Sequence, residues 1–223
     1  MESNVTIKRS KRARRMSLRI SSVDRGVTLT IPKYISNKSA QEFISEKRRW
    51  IEKHLNNIPE RIAVSDATHL PFQGQEFLVD EGETKSVKIC CDSSRIYVPS
   101  HRKKRNSSLL AFYRLAARDR LVAASDAYAD KLGVSYSKIS LRDTRSRWGS
   151  CTAAGGLMYS WRLILAPPEV LDYVAAHEVA HLVHMHHGPD FWDVVSNVCP
   201  NMETKRRWLK TNGVSLHLWD FSN

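Results

Sequence analysis

Residues His177-Glu178-Val179-Ala180-His181 put two imidazoles four positions apart with a carboxylate between them, and a further histidine follows at His187. On a helix, positions four apart share a face, so both rings can grip one metal ion. The intervening Glu178 is rotated off that axis, where it can reach a water at the metal without replacing a histidine as ligand. The chemistry such a set performs is hydrolysis: the metal polarises water and the carboxylate takes its proton. Catalytic zinc needs a third protein ligand and keeps one position open. His184, His186 and His187 are the nearby candidates. Three ligands from one straight helix cannot surround an ion, so a residue beyond the helix end approaches at a better angle. His187 is therefore favoured, just before the helix-stopping pair Gly188-Pro189.

The element that must carry these residues is a helix. Pro167-Pro168 marks a start, and the mostly apolar run from Val170 to Ala176 predicts a central, buried helix over residues 168–185. Two histidines and a glutamate inside such a helix are costly to bury unless something binds them. Strands are expected near residues 138–142 and 157–162, with the tract Trp148-Gly149-Ser150 between them, and helices over residues 106–132, 190–198 and 202–210. Toward the N-terminus, residues 16–20 and 27–31 alternate around Asp24-Arg25-Gly26 as a β-hairpin. One helix is expected over residues 39–57, capped by Ser39, with short strands following as far as residue 98. Phe191 and Trp192 are read as packing that holds His187, and Trp148 and Trp161 as structural. Asp190 or Asp193 is placed to bond a ligand histidine.

The set His177-Glu178-x-x-His181, His187 and Phe191-Trp192 resembles the YgjP-like family of metal-dependent hydrolases within the wider zincin group. Arg147-Trp148-Gly149-Ser150-Cys151, Trp161-Arg162-Leu163, Tyr173-Val174, Arg9-Ser10-Lys11-Arg12-Ala13 and Trp50-Ile51 are similar to tracts of that family too, so the likeness spans nearly the whole chain. It implies zinc held by His177, His181 and His187, with Glu178 as base. It also implies a rim strand above the metal helix that pairs with substrate, which residues 157–162 resemble. The family often carries asparagine before the third ligand, where this chain has His186. The tract His187-Gly188-Pro189-Asp190-Phe191 is also similar to SprT-like proteases.

The 223 residues carry a net charge of +12. Basic residues crowd the first hairpin, from Lys8 to Arg25, and recur at Arg102-Lys103-Lys104-Arg105 and Lys205-Arg206-Arg207. Such clusters attract polyanions, nucleic acid or nucleotides among them. No apolar run reaches membrane-span length, and residues 1–17 are polar and basic without a signal-peptide core. The four cysteines lack C-x-x-C spacing and are expected to stay reduced in a cytoplasmic protein.

The expectation is an α+β fold with a zincin-like metallopeptidase core, residues 1–100 forming a β-rich N-terminal part and residues 101–223 the catalytic domain. The function expected is zinc-dependent peptide hydrolysis. Arg147, Tyr159, Arg162 and His184 are candidates for binding substrate or stabilising the anionic transition state. Two alternatives stand beside it. One is a metal-dependent nucleoside triphosphate pyrophosphatase or phosphohydrolase, although no glycine-rich phosphate loop is present. The other is a nucleic-acid-associated protein with a structural metal, for which His184 or His186 could supply a fourth ligand. Three imidazoles suit zinc, and also manganese, cobalt or nickel.

Overall fold

The computed structural model describes residues 5–82, 84, 86–100 and 102–222, the side chains of residues 102 and 103 aside. The first four residues of the basic N-terminal tract and part of the second basic run therefore lie outside the described residues. The chain is α+β and divides into two compact units, Met1–Glu60 and Arg61–Asn223.

In the first unit, strands β1 (Val5–Ser10), β2 (Ser17–Ile20) and β3 (Val27–Pro32) form a sheet in the order β1-β3-β2. The β2–β3 pair is the expected hairpin; β1 adds to it in parallel. Alternation turns Leu29 and Ile31 inward onto Ala40. The helix expected over residues 39–57 is two helices, α1 (Asn37–Glu46) and α2 (Arg48–Asn56), broken at Lys47. Ser36, not Ser39, caps α1, accepting a hydrogen bond from the Ser39 backbone N–H. Two of the crowded arginines have structural tasks. Arg9 donates to the carbonyls of Lys33 and Ile35, and Arg25 to those of Leu55 and Ile58.

The second unit begins earlier than the sequence placed it. Strands β4 (Ile62–Ala63), β5 (His69–Phe72), β6 (Gln75–Gly82), β7 (Lys88–Cys90) and β8 (Arg95–Pro99) precede the long helix α3 (Arg102–Leu132). β5, β6, β8 and β7 form one sheet in that order, and its Leu70, Phe77, Ile96 and Val98 join Leu109 and Tyr113 of α3 in a single core. Shared burial with α3 draws residues 61–100 into the catalytic unit. Gly133, at φ +64°, ends α3 in a conformation that β-carbons disfavour.

After α3 comes a three-stranded sheet, β9 (Lys138–Arg142), β10 (Gly149–Cys151) and β11 (Gly156–Ser160), in the order β10-β11-β9. β11 lies in the middle, antiparallel to β10 and parallel to β9. The rim strand expected at residues 157–162 thus has both edges taken and gives way to a 3-10 turn, Trp161–Leu165. The edge strands are β10 and β9, and β10 is the one packed against α4. Helices α4 (Pro168–Ala180), α5 (Pro189–Val198) and α6 (Met202–Asn212) follow, and β12 (Trp219–Asp220) returns to pair with β4. Among the described residues no helix is long and apolar enough to cross a membrane.

Candidate metal centre

α4 is buried on nearly all sides; Glu178 is buried within it, His177 is half-buried, and His181, at its C-cap, is buried. The helix stops at Ala180 with His181 as its C-cap, several residues before the expected end at 185, and turns carry the chain to His187. This early stop brings the third histidine back over the helix end. One ligand-capable atom from each of His177, His181 and His187 lies within 4.8 Å of the others. The Nε2 atoms of His177 and His187 are 3.0 Å apart, close to the roughly 3.3 Å separation of two nitrogens on a tetrahedral zinc.

The protonation pattern fits a cation. His181 Nδ1 is 3.1 Å from the His184 carbonyl, to which it must donate, so its Nε2 is left bare. Burial, then the neighbouring rings, pushes His177 down to about 3, and burial also lowers His181, so both imidazoles are neutral at pH 7. His177 Nδ1 is buried and has no hydrogen-bond partner among the described residues. Aromatic contacts orient its ring instead, from Tyr173, Phe191 and Trp192. Phe191, fully buried, stacks on His181 at 4.5 Å and meets His187 edge-on at 4.8 Å, while Trp192 stacks on His187 at 5.6 Å. These two residues hold the triad as the sequence anticipated. Asp190 and Asp193 make no hydrogen bond to the three rings among the described residues.

Glu178 is 5% exposed and lines the same cavity as the histidines, about 450 Å³ in volume. Burial pushes its carboxyl up to about 8, against the pull of the Arg147 guanidinium. A resident divalent cation would act in the same direction as Arg147 and favour the carboxylate. Gly149 explains why the tract around it has the composition it has. A β-carbon there would lie 2.5 Å from Glu178 Oε1 and 2.6 Å from its Cγ. Only glycine lets the free edge of β10 approach the carboxylate. Gly149→Ala is therefore expected to swing Glu178 out of place, lowering turnover about a hundredfold or more with metal content unchanged. Turnover within threefold of the native protein would contradict this.

The remaining candidates separate. Arg147 lines the cavity. His184 contributes its backbone carbonyl to His181. Tyr159 is fully buried, its hydroxyl 3.0 Å from Ser125 Oγ, and Arg162 is a structural residue. Its guanidinium bonds Asp143 at 2.6 and 3.1 Å and the carbonyls of Leu216 and Trp219. Neither lines the cavity. Cys151 does line it, a partly buried free thiol raised by burial. Sequence reading missed Arg206 of α6, which lies over the Trp192 ring at 4.6 Å and shares a recess of about 340 Å³ with Tyr173, His177 and Glu178. It stood only as one cation in a basic run, because nothing local indicates that α6 folds back onto α4.

Beside Arg162, His217 stacks at 5.2 Å on Trp148, which also underlies Gly213. Burial, then Arg162, pushes His217 down to about 4. A depressed histidine contributes stability that is complete above its unfolded value near 6.5 and is lost as pH falls through 4, here on the order of 3 kcal/mol. His217→Asn should flatten the melting temperature between pH 6.5 and 4. An unchanged acid slope would contradict the assignment.

A family model described as the YgjP-like metallopeptidase domain matches residues 14–212. No curated protein matches the chain. Among solved structures, the crystal structure of the metallopeptidase zymogen of Pyrococcus abyssi abylysin is similar to it, with a TM-score of 0.37 and 19% identity. That likeness covers 41% of this chain and 93% of the other. The matched span includes α4, the His187 turn, β10 and both helices that close the centre, and on that match the chain belongs to the YgjP-like metallopeptidase family.

Proposed function

We propose that the chain is a zinc-dependent peptidase in which His177, His181 and His187 hold one ion and Glu178 is the general base. The observation that carries this reading is the convergence of three imidazole nitrogens beside a buried carboxylate in one cavity. A zinc ion there supplies Lewis acidity, making water more acidic and a carbonyl more electrophilic. Glu178 takes the proton from the attacking water and passes it to the leaving amine nitrogen. Arg147 supplies positive charge at the cavity wall, where the tetrahedral oxyanion needs it. The free edge of β10 offers main-chain groups to an extended substrate, in the role the resemblance had given to residues 157–162. Three histidines leave one coordination position for solvent or substrate, which a structural site would fill with a fourth side chain.

The test is turnover of a casein-derived peptide pool and of a nucleoside triphosphate panel by the purified protein, before and after chelation and with zinc restored. Peptide cleavage that disappears on chelation and returns with zinc is expected. Zinc-dependent release of phosphate or pyrophosphate with no peptide cleavage would overturn the peptidase reading and leave the metal site standing.

A further inference from the structure

β9 runs Lys138-Ile139-Ser140-Leu141-Arg142. Ile139 and Leu141 pack against the core, so the alternation of the strand turns Lys138, Ser140 and Arg142 to the opposite face. Register places Ser140 beside Met158 of β11, and Met158 beside Ser150 of β10. This outer face is the wall of a cleft of about 800 Å³, to which Arg145 and Arg147 contribute from the loop before β10. Four cations and several hydroxyls thus surround one groove. Among the described residues none that lines it is acidic, and none is aromatic. Arg9, Arg25, Arg105 and Arg162 are held by carbonyls or carboxylates. Lys138 and Arg142 are exposed and carry no ion pair among the described residues. The cleft and the metal cavity share Ser146, Arg147 and Ser150 in their walls, so they adjoin at β10.

We infer that this cleft is a subsite for an acidic peptide segment flanking the scissile bond. The inference deepens the peptidase reading and rests on it. Lys138 and Arg142 lie four residues apart on a strand, about 13 Å, so their charges are spread along a line and not gathered on one point. An extended chain with acidic residues at alternate positions presents carboxylates at a matching step of about 7 Å. Serine and threonine hydroxyls between the cations can donate to those carboxylates. A single-stranded nucleic acid would match the charge, but it gains much of its affinity by stacking bases on aromatic rings, and this cleft has none.

The experiment measures fluorescence anisotropy of labelled octaglutamate, a Gly-Ser octapeptide and octathymidylate against the full zinc-loaded chain carrying Glu178→Gln. Octaglutamate should bind, weaken as salt rises, and outcompete the other two. The exposed pair Lys138→Glu with Arg142→Glu should weaken it about tenfold or more, with Lys138→Gln and Arg142→Gln intermediate. Lys8→Glu with Arg12→Glu, in the first unit, should leave it unchanged. The glutamine pair guards against a misfolded charge reversal. Equal affinity for the Gly-Ser peptide, or sensitivity to the first-unit pair alone, would overturn the inference. Tighter binding of octathymidylate with the same loss at 138 and 142 would overturn it in favour of nucleic acid. Binding of octaglutamate without its cleavage by the native protein would support the cleft and count against the peptidase reading.

Discussion

Glu178→Gln is expected to retain its zinc and lose turnover by on the order of 10³-fold, the scale of a general base and acid removed from one site. Glutamine fills the same volume, keeps an oxygen and cannot take a proton. The carboxylate is not among the three converging ligands, so metal content should stay at one ion per chain. The variant also has a signature independent of turnover. In the metal-free protein burial holds Glu178 near 8, well above its ordinary 4.5. A group raised in the folded state contributes stability that is complete below the unfolded value and is lost as pH rises through the folded one. The metal-free native protein should therefore lose stability between pH 4.5 and 8 in a way that the Gln variant does not. Matching melting profiles for the two metal-free proteins would show that Glu178 is not held as described. Full activity in the zinc-loaded variant would remove Glu178 from the mechanism.

His187→Ala is expected to empty the centre. Two imidazoles from one helix turn remain, and losing a ligand should weaken binding more than the roughly 10–100-fold that follows loss of a group supporting a ligand. The side chain of His187 is exposed, so the fold should tolerate the change. Isothermal titration of the metal-free protein with zinc reads the effect directly. His186→Ala is the control, since His186 is exposed and outside the converging set; its affinity should stay within about threefold. Strong binding by His187→Ala, or equal losses in both variants, would move the third ligand elsewhere.

The cluster of His177, His181 and His187 was legible in the sequence because its logic is local. A four-residue spacing puts His177 and His181 on one face of α4, and Gly188-Pro189 marks the turn beside His187. Helices α3 to α6 were legible for a similar reason, each announced by periodic apolar residues or by Gly and Pro at an end. Strand order was not. Residues 157–162 read as the rim strand and residues 148–150 only as a tract between strands, but the structure makes Gly149–Cys151 a strand at the sheet's edge and puts β11 in the middle, because β9 pairs with β11 in parallel, a contact between distant segments. The same limit misplaced Arg162 and Tyr159. Their neighbours along the chain gave no sign of Asp143, Leu216, Trp219 or Ser125, which hold them in the interior. The boundary at residue 60 was hidden likewise, because β5 to β8 look like a separate sheet until their apolar face meets α3. Gly149 carried its information in plain view, yet its meaning needs the carboxylate of a helix almost thirty residues away.

The zinc K-edge absorption spectrum of the purified native protein tests the central claim most directly. Four nitrogen or oxygen neighbours at about 2.0 Å are predicted, with outer-shell ring scattering that counts three imidazoles, the signature of a site whose fourth position is held by solvent. Ring scattering from a fourth imidazole, a sulfur in the first shell, or a protein that takes up no metal, would contradict the account.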